Sequence, residues 1–338
     1  MANLVISAVC NQDCAYCFTV DHLGRGHRDS IAEAGQSFLP VSSFQERLDF
    51  LDRSNMDRVR LLGGEPTLHP QFVELVERAR AAGKKIVVFS NGLMPPDALE
   101  CLEALPPQEC TVLVNVNEPD TGNDGRVYTR QLEAIRRLGE RALPGFNIYR
   151  TDFHPEFLLG LIADTGSKPT VRLSMAQPCL SGANQYIHPN QYRAVAVKVA
   201  RFARIAADDG VSLDFDCGFV RCMFSDADME TLQEAQTDVG WRCNPILDVD
   251  IEGNVLYCFP LARLMSLPLT PKTDARALRS EFEARTRPYR QAGVYPECST
   301  CPFKVAGACS GGCLATTIRR FRHTPFSLDV PRKGGEVV

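Results

Sequence analysis

Six short apolar runs alternate with amphipathic segments along the first half of the chain. The runs are NLVISAV from Asn3, RVRLLGG from Arg58, KIVVFSN from Lys85, TVLVNVN from Thr111, FNIYR from Phe146 and TVRLSMA from Thr170. The segments between them, such as PQFVELVERARAAG from Pro70, place apolar residues at helical spacing. Runs of this length are typical of buried strands, and strands that alternate with helices form parallel sheets. The pattern predicts an α/β fold, a partial (β/α)6 TIM-like barrel.

A long amphipathic segment from Asn190 and the strand-like run VSLDF from Val211 end this regular pattern. The remainder is rich in Cys, Pro and Gly and poor in long periodic segments. We therefore expect bound metal, rather than an apolar core, to stabilise it. The sequence predicts a barrel domain over residues 1–213 and a small cysteine-rich domain over residues 214–338.

The composition is that of an ordinary globular protein. Of 338 residues, 44% are hydrophobic and 23% are charged, and the formal net charge is −4, without the basic surplus typical of nucleic-acid binding. The opening MANLVISAV has no basic leader, and no run approaches the roughly 18 apolar residues of a membrane span. We expect a cytoplasmic protein that binds neither nucleic acid nor membrane.

The fourteen cysteines are unevenly distributed. Cys10, Cys14 and Cys17 form a CxxxCxxC run directly after the first predicted strand, and eight others lie between residues 217 and 313. Clustered cysteines in a reducing compartment indicate metal ligands rather than disulfides. Three thiolates can hold a four-iron four-sulfur cluster and leave one iron without a protein ligand. A zinc site with His22 or His27 as a further ligand is the alternative. The scattered cysteines, which we interpret as packed thiols, are Cys101, Cys110 and Cys179.

A second motif, GGEP at residues 63–66, follows the next predicted strand. Loops after parallel strands share one face of a barrel, so both motifs lie where chemistry collects. Together they resemble the radical S-adenosylmethionine (SAM) enzymes, whose three cysteines bind a [4Fe-4S] cluster. The resemblance implies that the open iron binds SAM and that one electron cleaves SAM to a 5'-deoxyadenosyl radical. It also implies a reductant such as flavodoxin or ferredoxin.

The resemblance suggests which residues contact SAM. Tyr16 matches the aromatic residue that the family favours before its third cysteine. Gly63 and Gly64 lack Cβ, so their backbone can approach a ligand closely, and the motif that includes Glu65 and Pro66 is expected at the SAM ammonium group. Polar residues at later strand ends are candidates for ribose and carboxylate contacts, although Asn and Ser also favour turns on their own account. These candidates are Ser90, Asn91, Asn117 and Arg172. Many relatives carry an Asp-Gly pair where this chain has Asn117 and Glu118.

A second cysteine pattern lies closer to the C-terminus. CNPILDVDIEGNVLYC runs from Cys243 to Cys258, and CSTCPFKVAGACSGGC follows from Cys298 to Cys313. The pattern resembles the SPASM extension of radical SAM enzymes and implies two auxiliary [4Fe-4S] clusters, three clusters in all. A zinc ribbon is the alternative. The trailing cysteine of the SPASM pattern is missing, but Cys217 and Cys222 lie upstream.

Three four-iron clusters have twelve ligand places, and one of them stays open for SAM. The three cysteines of the CxxxCxxC run and the eight later ones would fill the other eleven. For the first auxiliary cluster we expect Cys222, Cys243, Cys258 and Cys313. For the second we expect Cys298, Cys301 and Cys309. Its fourth ligand is Cys217, His323 or Asp329, or its iron stays open for substrate.

Auxiliary clusters can accept an electron from a substrate radical, so the resemblance implies an oxidation or a cross-link. The leading hypothesis is a ribosomally synthesised peptide substrate, with a separate leader-binding protein because Cys10 lies too near the start for the leader-binding domain of relatives. The basic RRFRH from Arg319 could receive an acidic peptide or a phosphate, although a solvated segment explains it as well. The alternatives are a dehydrogenase or epimerase of a sugar or polyol, and a non-catalytic iron–sulfur or zinc scaffold.

No general base is evident. In sulfatase-maturing relatives, a catalytic Asp follows the cysteine that matches Cys258. Here Phe259 stands in that place, which argues against the same mechanism in this chain. The acidic DVDIE stretch from Asp248 could supply a base, but a strand with an exposed acidic face explains it equally well.

Overall fold

The computed structural model describes residues 1–23, 37–119, 125–237 and 239–321. Its strands are β1 Ala2–Ser7, β2 Arg58–Gly63, β3 Lys85–Ser90, β4 Cys110–Asn115, β5 Ala142–Ile148, β6 Thr170–Met175, β7 Ser212–Phe215, β8 Leu247–Val249, β9 Asn254–Leu256 and β10 Ser266–Pro268. Its α-helices are α1 Val20–Leu23, α2 Val41–Arg53, α3 Phe72–Ala81, α4 Pro96–Glu103, α5 Arg126–Leu138, α6 Phe157–Thr165, α7 Tyr192–Asp208, α8 Asp226–Glu234, α9 Ala275–Ala292, α10 Pro302–Val305 and α11 Leu314–Arg320.

The described strands form one sheet in the order β10-β9-β8-β1-β2-β3-β4-β5-β6-β7. Strands β1 to β7 are parallel and follow chain order, as a partial barrel requires. The predicted α/β fold is therefore confirmed. The sheet is open, because β1 pairs with β8 on its far side rather than with β7.

The helices cover one face of this sheet with apolar side chains. In α3, Phe72, Leu75, Val76 and Ala79 recur at helical spacing and are buried. Along the strands the period is two: in β6, Val171, Leu173 and Met175 are buried, while the residues between them are half-buried and face the other side. Polar side chains can therefore collect inside the barrel without disturbing the outer packing.

The C-terminal part has a packed apolar core, contrary to the expectation that metal alone stabilises it. Helix α9 buries Leu278, Phe282 and Tyr289, and the Phe282 ring stacks on Tyr257 at 5.1 Å. The sequence reading missed this helix because its many charged residues and Pro288 mask the periodicity. Strand β8 also extends the barrel sheet, so the two parts share it. The division at residue 213 stays a prediction.

Some predicted features lie outside the described residues: His27, His323, Asp329 and the end of the basic RRFRH stretch. Among the described residues, no helix combines the length and the apolar character that a lipid bilayer requires of a spanning segment.

Candidate active site

The three cysteines of the CxxxCxxC run, here called the first-loop cysteines, lie on the loop after β1. Cys17 N donates a 3.0 Å hydrogen bond to Cys14 O, which turns this loop back on itself. Burial raises the pKa of the Cys10 thiol to about 11 and that of Cys14 to about 12, and negative charge on Cys17 adds to both shifts. Such thiols ionise when a metal cation lies beside them. The loop is therefore suited to a cationic metal group.

Gly63 and Gly64 pack directly on this loop. A Cβ on Gly64 would lie 2.5 Å from Val9 O and 2.9 Å from Cys10 Cβ, and a Cβ on Gly63 would collide with Ser7 O. Gly64 N also donates to Ser7 O at 2.9 Å. The missing side chains thus make room for the cysteine loop itself. The contact of Gly63 and Gly64 with SAM stays a prediction.

Glu65 is fully buried, and its carboxylate accepts four hydrogen bonds from the protein. Oε1 accepts from Thr67 N at 3.2 Å, Thr67 Oγ1 at 2.6 Å and Ser90 Oγ at 2.9 Å, whereas Oε2 accepts from Asn91 N at 2.7 Å. Burial raises the pKa of Glu65, and these donors lower it. Pro66 begins the 3-10 turn that brings Thr67 to the carboxylate. Glu65 thereby joins the loops after β2 and β3, and Oε2 can accept a further bond.

Asn91 connects the loop after β3 to the first loop. Its Nδ2 donates to Asn11 Oδ1 at 2.8 Å and lies 3.7 Å from Cys10 Sγ, a contact that lowers the pKa of Cys10 against the effect of burial. Its Oδ1 accepts from Leu93 N at 2.9 Å. The structure therefore brings three predicted residues, Glu65, Ser90 and Asn91, into one network beside Cys10. Whether they also contact SAM stays a prediction.

Tyr16 enters a ladder of amides inside the barrel. Its hydroxyl donates to Asn117 Oδ1 at 2.7 Å and accepts from Asn115 Nδ2 at 2.8 Å. Asn147 Nδ2 donates to Asn115 Oδ1 at 2.9 Å, and Ser174 Oγ donates to Asn147 Oδ1. The sequence reading missed Asn115, Asn147 and Ser174, although each stands at an alternate position near the end of its strand. The ladder crosses β4, β5 and β6 at the level of the first loop.

Arg172 and Glu118 have partners of their own. Arg172 pairs with Asp216, and its guanidinium carbon lies 5.7 Å from the centre of the Phe89 ring. Glu118 pairs with Arg150 and accepts a hydrogen bond from His154 N. Any contact of Arg172 with SAM stays a prediction.

The β6 loop, residues 176–187, joins the first loop to α11. Asn184 Nδ2 donates to Tyr16 O at 3.1 Å and to Gln177 O at 2.9 Å, and Asn184 Oδ1 accepts from Cys179 N at 2.8 Å. Gln177 Oε1 in turn accepts from Thr316 Oγ1 at 3.1 Å. Cys179 Sγ lies 3.3 Å from Phe18 O, so this thiol packs against the first loop as expected. No local sequence pattern identifies Asn184 or Gln177 as site residues.

The later cysteines form two sets. We call Cys243, Cys258 and Cys313 the first auxiliary group and Cys298, Cys301 and Cys309 the second. Burial raises the pKa of Cys258 well above its usual range, and charge on Cys313 and Cys243 raises it further, so the first auxiliary group converges. Cys243 N donates to Ser310 Oγ at 2.7 Å, which holds the two groups side by side.

The spacing of the thiols was compared with that of a zinc site. Thiolates around one zinc ion lie about 3.8 Å apart, because four Zn–S bonds of about 2.3 Å form a tetrahedron. In the described ranges, three ligand atoms come within 4.8 Å of one another only at His22, Asp250 and Glu252, and no cysteine trio does so. The identity of the metal at the cysteines stays a prediction.

Comparison with known proteins agrees with this geometry. Residues 4–157 match the model of the Radical SAM superfamily. The chain is therefore similar to this superfamily over these residues. An S-adenosylmethionine-dependent nucleotide dehydratase from Selenomonas ruminantium is 32% identical over 112 residues, which cover 30% of this chain and 36% of the relative. A protein of the same name from a Thermoplasmatales archaeon is 26% identical over 142 residues, or 42% of this chain and 47% of the relative. The chain thus spans less than half of each.

Solved structures resemble this protein over nearly its whole length. Streptococcus suis SuiB bound to the precursor peptide SuiA has a TM-score of 0.67 at 15% identity, covering 94% of this chain and 72% of SuiB. Native anSMEcpe with bound AdoMet and the Kp18Cys peptide has a TM-score of 0.63 at 18% identity, covering 92% of this chain and 88% of the other. At these identities the likeness concerns the fold, which includes the cysteine-rich part.

The two aspartates of the acidic stretch do not form an exposed face, although Glu252 is exposed. Asp248 is buried and accepts from Asn3 Nδ2 at 2.7 Å. Asp250 is also buried, accepts from Asn254 N at 2.7 Å and lies 3.4 Å from His22 Nε2. Phe259, at the position of the expected base in sulfatase-maturing relatives, packs its ring 5.8 Å from Phe18. Both aspartates are thus held in structural contacts.

Proposed function

We propose that the protein is a radical SAM enzyme that cleaves SAM reductively and oxidises or cross-links a ribosomally synthesised peptide. The observation that carries this proposal is the network around the first-loop cysteines. Three thiols lie on one loop, packed on Gly64 and linked through Asn91 to the buried Glu65. The superfamily match over residues 4–157 supports the assignment of this network to SAM chemistry.

The side chains of this chain have distinct tasks in that reaction. A [4Fe-4S] cluster with SAM bound supplies the electron that generates a 5'-deoxyadenosyl radical. The first-loop cysteines would hold this cluster, and Asn91 would stabilise the charge on Cys10 through its 3.7 Å contact with Sγ. Tyr16 and the amide ladder provide hydrogen-bond donors and acceptors inside the barrel, where the ribose and the substrate would lie. The buried Glu65 fixes the loops that surround this space.

A peptide substrate is supported by the fold relatives and by the cysteine-rich part. SuiB was solved with a precursor peptide and anSMEcpe with the Kp18Cys peptide, and both share the fold over more than nine tenths of this chain. Two auxiliary clusters would accept the electron that a substrate radical loses when it forms a double bond or a cross-link.

A small-molecule substrate is the second candidate, and a specific observation favours it. Two curated relatives of this chain are named nucleotide dehydratases. A nucleotide is therefore a better candidate than the sugar or polyol that the sequence suggested.

Anaerobic preparation tests the class of reaction. Full-length protein reduced by dithionite or flavodoxin should release 5'-deoxyadenosine from SAM, and its iron content should be about twelve per chain. Replacement of the first-loop cysteines by Ala should abolish 5'-deoxyadenosine and lower iron to about eight. Protein that retains zinc, or that forms no 5'-deoxyadenosine, would contradict the proposal.

The substrate requires its own measurement. Co-expression with small open reading frames adjacent to the gene, followed by mass spectrometry, should reveal a peptide that loses two mass units per oxidation. The matched control is the variant without first-loop cysteines. Turnover of a nucleotide in the absence of any peptide would instead select the second candidate.

A further inference from the structure

The hydroxyl of Thr19 contacts the sulfur of Cys17. Thr19 Oγ1 lies 3.1 Å from Cys17 Sγ, within hydrogen-bond distance of a sulfur atom. Thr19 is only 5% exposed, so water competes little for this hydroxyl. Its carbonyl oxygen accepts from His22 N at 2.9 Å and from Leu23 N at 2.8 Å, which anchors the residue at the start of α1. The fold of the backbone therefore holds the hydroxyl against the cysteine.

The protonation state of Cys17 decides the direction of this hydrogen bond. A free thiol and a hydroxyl can each donate to the other. A cysteine that binds a metal has lost its proton and can only accept. Thr19 is then the donor, and an O–H group that points at a thiolate forms a charge-assisted hydrogen bond. This direction follows for any metal that the first-loop cysteines bind.

Gln12 stands between Cys10 and Cys14 in the same loop and contacts the second of these sulfurs. Its Oε1 lies 3.5 Å from Cys14 Sγ and accepts from it while Cys14 is a thiol. Its Nε2 is buried and has no hydrogen-bond partner within the described ranges. A buried N–H group without a partner is costly and rare in folded proteins. The amide is thus unsatisfied as long as Cys14 keeps its proton.

Loss of the Cys14 proton would give this amide a partner. A thiolate repels the Oε1 atom of Gln12 and attracts an N–H group. The two ends of an amide have nearly the same shape, so a half-turn about the last side-chain bond exchanges Oε1 and Nε2 in place. Nε2 would then face Cys14 Sγ and donate to it. The contact with the sulfur and the unpaired amide nitrogen therefore both fit a Cys14 that binds a metal.

We propose that Thr19 and Gln12 donate hydrogen bonds to cysteine sulfurs of the first loop when these hold a cluster, and that both bonds raise the reduction potential of that cluster. This inference rests on the proposed function, because it takes the cluster as given. Thr19 and Gln12 are positioning residues, since they act through the cluster and not on the substrate.

The expected effect on the reduction potential follows from charge. One added electron makes a cluster more negative, and hydrogen-bond donors at its sulfurs stabilise that charge. Asn91 Nδ2, at 3.7 Å from Cys10 Sγ, already provides one such donor. Thr19 and Gln12 would supply one donor to each of the other two sulfurs. A cluster with all three donors is reduced more readily by a given reductant than a cluster without them.

Redox titration of anaerobically prepared full-length protein tests the proposal. Dithionite delivers the electrons, and EPR measures the reduced cluster at each potential. The signal that disappears when Ala replaces the first-loop cysteines belongs to this cluster. Thr19→Val removes the hydroxyl and keeps the shape, Thr19→Ser keeps the hydroxyl, and Gln12→Leu removes the amide. The matched control is Thr129→Val in α5, where the exposed hydroxyl donates to Gly125 O at 2.8 Å.

Thr19→Val and Gln12→Leu should each keep about twelve irons per chain. Each should lower the ratio of reduced to oxidised first-loop cluster at a fixed potential by about three- to tenfold, where tenfold corresponds to about 59 mV for one electron. Thr19→Ser and Thr129→Val should leave this ratio unchanged.

An unchanged ratio in Thr19→Val or in Gln12→Leu would overturn the role of that residue, and an equal fall in Thr129→Val would overturn both. Where a variant loses iron, the Ala variant at the same position is titrated in its place. Loss of iron from both variants at one position would show a side chain that only holds the loop, which also overturns its role. If the unsubstituted protein has no EPR signal that depends on the first-loop cysteines, the proposed function itself is refuted, and this inference with it.

Discussion

The substitution Gly64→Ala probes the packing of the GGEP loop on the cysteine loop. Gly64 does not have a positive φ, so an alanine backbone is allowed there, and any effect must come from the added methyl group. That methyl would lie 2.5 Å from Val9 O and 2.9 Å from Cys10 Cβ. Backbone atoms cannot rotate away as a side chain does. The cysteine loop must therefore move by about 0.9 Å to reach ordinary contact distance.

The cost of this movement can be estimated from the contacts that it disturbs. Glu65 N donates to Val9 O at 2.7 Å, and loss of this bond costs about 1 kcal/mol. Overpacking of a rigid site adds about 1–3 kcal/mol. We expect the free energy of unfolding to fall by about 2–4 kcal/mol, and the first-loop cysteines to lose the geometry that a shared cluster needs.

Anaerobically prepared full-length protein provides the assay, with urea unfolding and iron content as readouts. Gly64→Ala should lose up to about four of about twelve irons per chain. The matched control is Gly160→Ala in α6, where an added Cβ has no atom within 4 Å. This control should keep all its iron and gain about 0.5–1 kcal/mol, since Ala favours a helix over Gly. Full iron and unchanged stability in Gly64→Ala would refute the packing argument.

Three other substitutions test separate features. Glu65→Gln places an amide N–H against Asn91 N–H, so urea unfolding should show that the free energy of unfolding falls by about 2–4 kcal/mol. The control Glu74→Gln, on the exposed face of α3, should change it by less than about 1 kcal/mol. Equal effects of the two substitutions would contradict the structural role of the buried Glu65 carboxylate. Burial lowers the pKa of His69, so below about pH 6.5 the unfolded chain binds more protons than the folded one, and the free energy of unfolding should fall with decreasing pH. His69→Gln should make this dependence of stability on pH less steep. An unchanged dependence would contradict the contribution of His69. Cys110→Ala, at a buried position of β4, should leave the iron content unchanged at a cost of about 1 kcal/mol, and loss of iron would disprove its role as a packed thiol.

Sequence patterns located the cysteine loop, the GGEP loop and the strand ends because these features are local. The period of the strands places Ser90 and Asn91 at the edge of β3, next to the loop of Glu65, as parallel pairing requires. What the sequence could not provide was contact between distant segments. Asn147 is identified only when β5 is set beside β4, and strand β5 itself begins at Ala142, before the Pro144–Gly145 pair that reads as a strand break.

The contacts of the β6 loop hold the two cysteine regions in place through the protein itself. Asn184 binds the backbone of the first loop at Tyr16 O, and through Gln177 it reaches Thr316 in the helix that follows Cys313. All these groups are buried, so each hydrogen bond that is broken leaves an unsatisfied partner at a cost of about 1–3 kcal/mol. Electron transfer between two sites requires that their separation stay fixed while substrate enters and product leaves. A short, buried chain of hydrogen bonds anchored at the end of β6 would meet that requirement for clusters bound at the two cysteine regions.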